Sequence, residues 1–441
     1  MGKECGAEAG KCLLRAYLIN QTGHWFIAGL LFPVLILIVL DKGLGLFEAG
    51  TIMAIYSGTA LLLELPTGGL ADSIGRKKVY ILSVLVHSLA LITFLISFDF
   101  LTVALAASLM GLGRALSSGS IDAWFVDEFR SAVPKGNLQQ ALAKANVFIP
   151  LGLGVGCLIG GLLPMTLGRF LNAELGLTIF GANLLIALIA DLVQIAMTER
   201  LIVETARVPR TSGWRAGFSK VPSVISTSIT YGVRNRKVLV LLLIMMAFGF
   251  GLSGLELLWQ PRVGQIMGGS AQTWAMGVLA AAYFFITAVG SALSTPICRR
   301  ARDDYGTVMA VLLVAMGVSI FLLSLQDQLL LFATFYLLAY LIMGMTNSPY
   351  GAMYNDEVPA EQRSTMLSFQ SLLLQSGGLC GSLVLGYVAG TSGIPTAWMI
   401  GSLVVALSSV GFIYLRSLKH RNAVRTVENL LGPERPPSSS P

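Results

Sequence analysis

Arg114 lies about 13 residues into a long apolar run, or ~20 Å along a helix at 1.5 Å per residue. A guanidinium that deep in a membrane costs at least ~2.5 kcal/mol and marks a polar cavity with a partner for its charge. Ser117, Ser118 and Asp122 follow at helical spacing, which predicts one polar stripe beside it. A cation beside a carboxylate can exchange protons or hold a charged group of a ligand. The competing reading is an arginine that snorkels to the surface and meets a loop carboxylate there. Glu256, just before Trp259-Gln260-Pro261, suits the mouth of a cavity, either as a proton-exchanging acid or as a cap. Asn20, Gln21 and His24 share an earlier run, and His24 can serve as proton carrier, ligand contact or hydrogen-bonded structural residue. Glu64, near Pro66, and Asp191 are the other acids within apolar runs. Asn347, Tyr350 and Tyr354 recur at helical spacing, as do Ser368, Ser371 and Gln375. With Phe284 and Phe285 they predict a cavity that is aromatic and hydrogen-bonding but poor in charge. Such a lining suits amphiphilic organic molecules better than sugars or phosphate esters.

The elements that must position these residues are membrane helices. The chain has 441 residues, 55% hydrophobic and 12% charged, with mean hydropathy +0.75, against about a quarter charged in soluble domains. Crossing ~30 Å of hydrocarbon takes about 20 apolar residues. Twelve such spans are legible, near 15–40, 46–70, 79–97, 101–126, 139–164, 175–198, 237–259, 272–298, 305–325, 329–354, 365–389 and 394–416. The first fourteen residues carry no apolar stretch of a signal peptide. The fold class expected is therefore all-α and integral to the membrane, with no cleaved leader.

The net charge of +7 is not a nucleic-acid footprint. Of the Lys and Arg residues, only Lys42, Arg169 and Arg262 fall in loops on one side, and Arg114 falls inside a span. The rest lie in the N-terminus, the opposite turns, a central basic loop, the C-terminal tail or the adjoining span ends. That bias puts both termini in the cytoplasm and requires an even number of spans. Cys5, Cys12, Cys157, Cys298 and Cys380 show neither metal-ligand spacing nor a disulfide pattern. The organisation expected is a six-helix bundle over 1–199, a cytoplasmic loop over 200–236, a second bundle over 237–418 and a disordered tail over 419–441. A weak repeat supports the division: Ala123-Trp124-Phe125-Val126-Asp127-Glu128 ends span four, and Ala352-Met353-Tyr354-Asn355-Asp356-Glu357 ends span ten. Chance likeness of two helix ends is the alternative.

Spans two and three are joined by Gly68-Gly69-Leu70-Ala71-Asp72-Ser73-Ile74-Gly75-Arg76-Lys77-Lys78, a short basic turn. Its pattern G-x-L-A-D-x-x-G-R-K resembles the signature loop of the major facilitator superfamily. The resemblance implies twelve helices in two six-helix bundles and transport through the interface between them. It also implies that Gly68, Asp72, Gly75, Arg76 and Asp127 form a gate, with Asp72 capping span eleven and Arg76 pairing with Asp127. A loop that serves topology alone is the other reading. Residues 109–123 resemble the span-four motif whose arginine, here Arg114, is implicated in proton coupling, with Ser117-Ser118 where the family has Gln-Gly. Asp122, His24 and Glu256 are the other candidate coupling residues. Span six is peripheral in this fold, which makes Asp191 a structural partner.

Gly152, Gly156, Gly160 and Gly161 keep the spacing of the antiporter motif of drug-exporting members, with Cys157 in place of its proline. A generic small-residue packing face reads equally well. The runs around Glu64-Leu65-Pro66-Thr67-Gly68 and Gly119-Ser120-Ile121-Asp122-Ala123-Trp124 look like tetracycline and macrolide exporters. The expectation is a monomeric, proton-coupled exporter of a small amphiphilic compound in a bacterial inner membrane, with a role in antibiotic resistance. Candidate substrate contacts are Asn20, Gln21, His24, Glu256, Asn347, Tyr350 and Gln375. No phosphate-binding loop for ATP is present, so the proton gradient is the expected energy source and no cofactor is expected. A symporter importing a nutrient or metabolite is the nearest alternative. A membrane enzyme fits less well, because His24, His87 and His420 are scattered; a non-transporting sensor is the last possibility.

Overall fold

A computed structural model describes residues 2–134, 136–204, 234–269, 272–359 and 362–431, without the side chains of 2–7, 65, 68, 69, 72, 364, 365 and 418–431. The described residues are helical throughout their regular segments, with no strand. Eleven helices are long and apolar enough to cross a membrane, and a bent pair makes the twelfth span. That pair, Gly2–Leu31 and Leu35–Asp41, turns by 40° beside Pro33, which has no N–H to continue the ladder. Spans two and three are Leu46–Ile74 and Arg76–Ile96. Span four is Phe100–Ser117 continued by Ser120–Ala132, span five Leu138–Leu162 and span six Gly181–Leu201. Spans seven to twelve are Arg236–Ile266, Trp274–Arg300, Tyr305–Ser324, Leu329–Glu357, Arg363–Ser392 and Ile394–Leu431.

Two boundaries differ from expectation. Span six begins at Gly181 rather than near 175, because Leu167–Leu175 forms a separate short helix closed by Gly176 at φ +64°. The last helix runs to Leu431, which corrects the disorder expected for 419–431. Those residues hold no Gly or Pro, and the first helix breakers are Gly432-Pro433. The central loop over 205–233 and the chain beyond 431 lie outside the described residues.

The same pairing pattern occurs in both halves. Span one packs on five and six, as seven packs on eleven and twelve; two packs on four as eight on ten; three packs on four and six as nine on ten and twelve. Between the halves, span two meets eleven and span five meets eight, again an equivalent pair. That is the arrangement of parallel repeats. Large apolar side chains such as Leu85, Leu89, Ile92 and Ile96 stand exposed along one side of span three, which suits a lipid solvent. With hydrocarbon as apolar as leucine, the spans associate through close packing and interhelical hydrogen bonds.

Glycine supplies the close packing. A Cβ on Gly152, Gly156 or Gly160 would lie 2.3–2.6 Å from carbonyl oxygens of Thr22, Phe26 and Leu30 on span one. Asn183 of span six donates to both the Leu30 and Gly160 carbonyls at 2.8 Å, bonds of ~0.6 to ~1.7 kcal/mol each in such bundles. Gly161 instead crosses to the other half, where its Cβ would lie 2.6 Å from Gly277 Cα.

Candidate functional site: a polar vestibule between the halves

An even number of crossings leaves both chain ends on one face of the bundle, called here the terminal face; the opposite one is the far face. At the far face the halves meet tightly. A Cβ on Gly50 of span two would lie 2.3 Å from the Ser382 carbonyl of span eleven. Thr273 donates to the Gly161 carbonyl at 2.5 Å. Gln260 accepts from Ile36 N–H and donates to Phe32 C=O, at 2.9 and 2.7 Å. Phe32 packs on Tyr283, Phe284 and Trp259, with ring centroids 5.8, 5.2 and 6.3 Å apart. Toward the terminal face the contact between spans two and eleven reaches Gly58 and Leu379, and deeper residues on both sides, such as Leu62, Ser371 and Leu367, are half-buried to exposed.

Arg114 stands in this opening. Its guanidinium donates to Tyr56 Oη at 3.1 Å and lies over that ring, 5.6 Å from the centroid. One turn on, Ser118 Oγ donates to Glu64 Oε1 at 3.1 Å. The charges of Glu64, from span two, and Glu256, from span seven of the other half, both act on Arg114. Arg114, Ser118, Glu64 and Glu256 are all exposed. Above Glu256 lies a closed aromatic floor of Tyr283, Phe284, Tyr336 and Tyr340, with centroids 4.0–4.9 Å apart. The Glu256 charge reaches Tyr283, Tyr336 and Tyr340. The Tyr336 and Tyr340 hydroxyls are buried without a hydrogen-bond partner.

The polar stripe expected beside Arg114 is split. Ser118 leaves the helix and Gly119 takes φ +69°, a left-handed conformation that suits glycine, so the helical phase restarts at Ser120. Asp122 then turns to span one, accepting from Tyr17 Oη at 2.7 Å and Gln21 Nε2 at 2.8 Å. Ser117 bonds back to the Arg114 carbonyl. Asp122 is thus removed from the Arg114 cluster.

Asn20, Gln21 and His24 also differ from expectation. Asn20 is fully buried and donates to Thr198 Oγ1 at 2.7 Å, while Gln194 bridges the Asn20 carbonyl and Tyr80 Oη. His24 lies against Trp25 and Tyr80, with centroids 5.8 and 5.7 Å away. Behind it His87 Nδ1 meets Asp191 Oδ2 at 2.8 Å, and Ser88 donates to the same oxygen. These groups join spans one, three and six, away from the vestibule. Tyr350 is buried and donates to the Leu241 carbonyl at 3.1 Å, and Gln375 donates to Ser371 of its own helix. Asn347 is exposed. Phe285 is 71% exposed, unlike its neighbour Phe284 in the aromatic floor.

In the basic turn, Gly75 at φ +105° alone joins spans two and three. Arg76 forms an ion pair with Asp127. Both residues belong to the first half, so this pair ties spans three and four and does not itself bridge the halves. The side chains of Gly68 and Asp72 lie outside the described residues. Glu204 accepts from the Arg76 and Lys77 N–H groups at 2.9 and 3.2 Å, placing a carboxylate on the N-terminus of span three. Lys77 pairs with Glu199 at 2.9 Å. These two acids, at the end of span six and just beyond it, were not anticipated; their signal is acidic residues at the edge of a basic loop. Among the described residues no three His, Cys, Asp or Glu side chains group as metal ligands.

The chain matches the family model described as Major Facilitator Superfamily over residues 17–382 and 276–432. No curated protein matches it. Solved structures of similar fold include a point mutant of the nucleoside transporter NupG, with TM-score 0.75, 11% identity and coverage of 91% of this chain and 99% of that one. A second NupG structure gives 0.71 and 12%, covering 91% and 98%. Twelve spans, two equivalent halves and a charged opening between them accord with the family match: this chain belongs to the major facilitator superfamily and is a multi-pass membrane transporter.

Proposed function

We propose that this transporter exports a small amphiphilic organic compound in exchange for protons, from a bacterial cytoplasm, with Arg114 and Glu256 as its coupling groups. The observation that carries this reading is the exposure, in one vestibule, of Arg114 and Glu64 from the first half and Glu256 from the second. The charge bias of the loops supports a cytoplasmic terminal face, and on this reading the described conformation is open inward. Protonating Glu256 removes its attraction to Arg114; a bound substrate that engages either group competes with the proton. Swinging a two-state equilibrium from 1:99 to 99:1 takes about 5.5 kcal/mol, far more than an exposed ion pair supplies at 0–1 kcal/mol. Substrate contacts beyond this pair must therefore supply the rest, and coupling lies in the exchange of proton for substrate. Export, and a role in drug resistance, rest on the likeness of the glycine run 152–161 and the lead-in 64–68 to exporters.

A second reading runs the same vestibule inward as a proton symporter, as fold analogy with the nucleoside transporter neighbours suggests. Purified protein in liposomes with an internal pH dye separates the two. Adding a panel of amphiphilic antibiotics, dyes and nucleosides under a proton gradient should collapse the gradient for a substrate. Glu256→Gln should abolish that collapse. Substrate moving against the protons supports export, and movement with them supports import. Proton flux that persists undiminished in Glu256→Gln would remove Glu256 from the mechanism.

A further inference from the structure

The vestibule does not account for a second basic region at the terminal face. There, the start of span one, the end of span four and the start of span five line an open cavity of about 170 Å³. Lys11, Lys144, Asn137 and Gln140 supply its polar lining, and Leu14 and Phe129 are among its apolar wall. Lys11 and Lys144 are exposed and make no ion pair among the described residues. Asn137 accepts from Gln140 N–H at 3.0 Å with its side-chain oxygen, which leaves its amide N–H groups to donate. The cavity therefore offers two cations and carboxamide donors to an anion. Its apolar wall sets it apart from a site for a free, fully hydrated ion.

Span five continues the cavity upward. Phe148, Leu151, Val155, Leu158 and Leu162 are 42–58% exposed on the face that carries Gln140 and Lys144. The glycines that pack on spans one and eight lie on other faces of the same helix. A molecule with an anionic head in the cavity and a hydrocarbon chain on this stripe would satisfy both parts.

We infer that this cavity seats the phosphodiester headgroup of an anionic phospholipid, with an acyl chain lying along span five. Basic pockets between helices on the cytoplasmic side hold such headgroups, and each lysine near the surface contributes about five-fold in affinity. The site is separate from the transport path, so lipid binding is measurable without any substrate.

The test uses the full chain, purified and placed in phosphatidylcholine nanodiscs. Native mass spectrometry and titration with phosphatidylglycerol give retention and apparent affinity. Wild type should retain phosphatidylglycerol over phosphatidylcholine, and the double variant Lys11→Gln/Lys144→Gln should weaken it about 25-fold, the product of two five-fold losses. Lys11→Arg/Lys144→Arg should keep the binding, which also covers the case that the glutamine variant folds poorly. Free glycerol phosphate should not compete. Equal retention of both lipids by wild type, undiminished binding in a folded glutamine variant, loss in the arginine variant, or displacement by glycerol phosphate at equal concentration would each overturn the proposal.

Discussion

Polar side chains between spans one, three and six close on one another, whereas those between spans two, four and seven stand open with few partners. In the first region Asn20, Thr198, Gln194 and Tyr80 bond in sequence, leaving one oxygen, Asn20 Oδ1, unpaired, and Asp191 takes bonds from both His87 and Ser88. Asp191 is only 2% exposed. In the second, Arg114 donates to Tyr56, Glu64 accepts from Ser118, and Glu256 has no ion pair among the described residues. A buried polar group without partners costs several kcal/mol in hydrocarbon. The sealed network therefore holds helices, while the open charges keep bonding capacity for protons and ligands. Intramembrane charge alone does not distinguish the two; satisfaction of the charge does.

Arg114→Ala should break this contrast most severely if it is wrong. Transport in liposomes should fall at least about 100-fold, as expected for a group acting in the coupled step. The melting temperature should barely move, because the lost contact with Tyr56 is worth ~0.5–1 kcal/mol at an accessible site. A variant that melts far below wild type, with normal transport by its folded fraction, would place Arg114 with the structural groups.

Asp191→Ala is the mirror experiment. Asp191 is the buried acceptor for His87 and Ser88, and a hydrogen-bonding group left without its partner costs about 1–3 kcal/mol. Unfolding in detergent should show that loss, while transport per folded molecule should stay within about two-fold. A transport defect at wild-type stability would move the His87–Asp191 pair into the proton path.

Much of the fold was legible because lipid imposes its own punctuation. Spans of about 20 apolar residues must satisfy their backbones internally, and loop charge sets their direction. The pairing of Arg76 with Asp127 was implied by the likeness of the basic turn to the family's signature loop, and the close approach of Gly152, Gly156 and Gly160 was readable from spacing. The site was less so. Helical phase linked Arg114 to Asp122 in the sequence, but Gly119 breaks that phase, and one residue in the left-handed region redirects an entire side chain. Tyr56, Tyr283, Tyr336 and Tyr340 come from spans two, eight and ten, so their convergence has no local pattern. Glu64 was legible only as an acid within an apolar run, and its place one turn from Arg114, bonded to Ser118, shows only in three dimensions.

Tyr350 gives the smallest and most discriminating effect. Its spacing with Asn347 nominates it for substrate binding, yet its hydroxyl is committed to the Leu241 carbonyl, joining spans ten and seven within the second half. Tyr350→Phe keeps the ring and its stacking on Tyr354, 6.0 Å between centroids, and deletes one interhelical hydrogen bond. Such bonds average ~0.6 kcal/mol in membrane bundles, and the Leu241 carbonyl keeps its place in the helix ladder. The expected outcome is a melting shift of a degree or two and unchanged substrate KM. A several-fold rise in KM would show that the hydroxyl leaves Leu241 for the substrate during the cycle, and the open region would then extend to span ten.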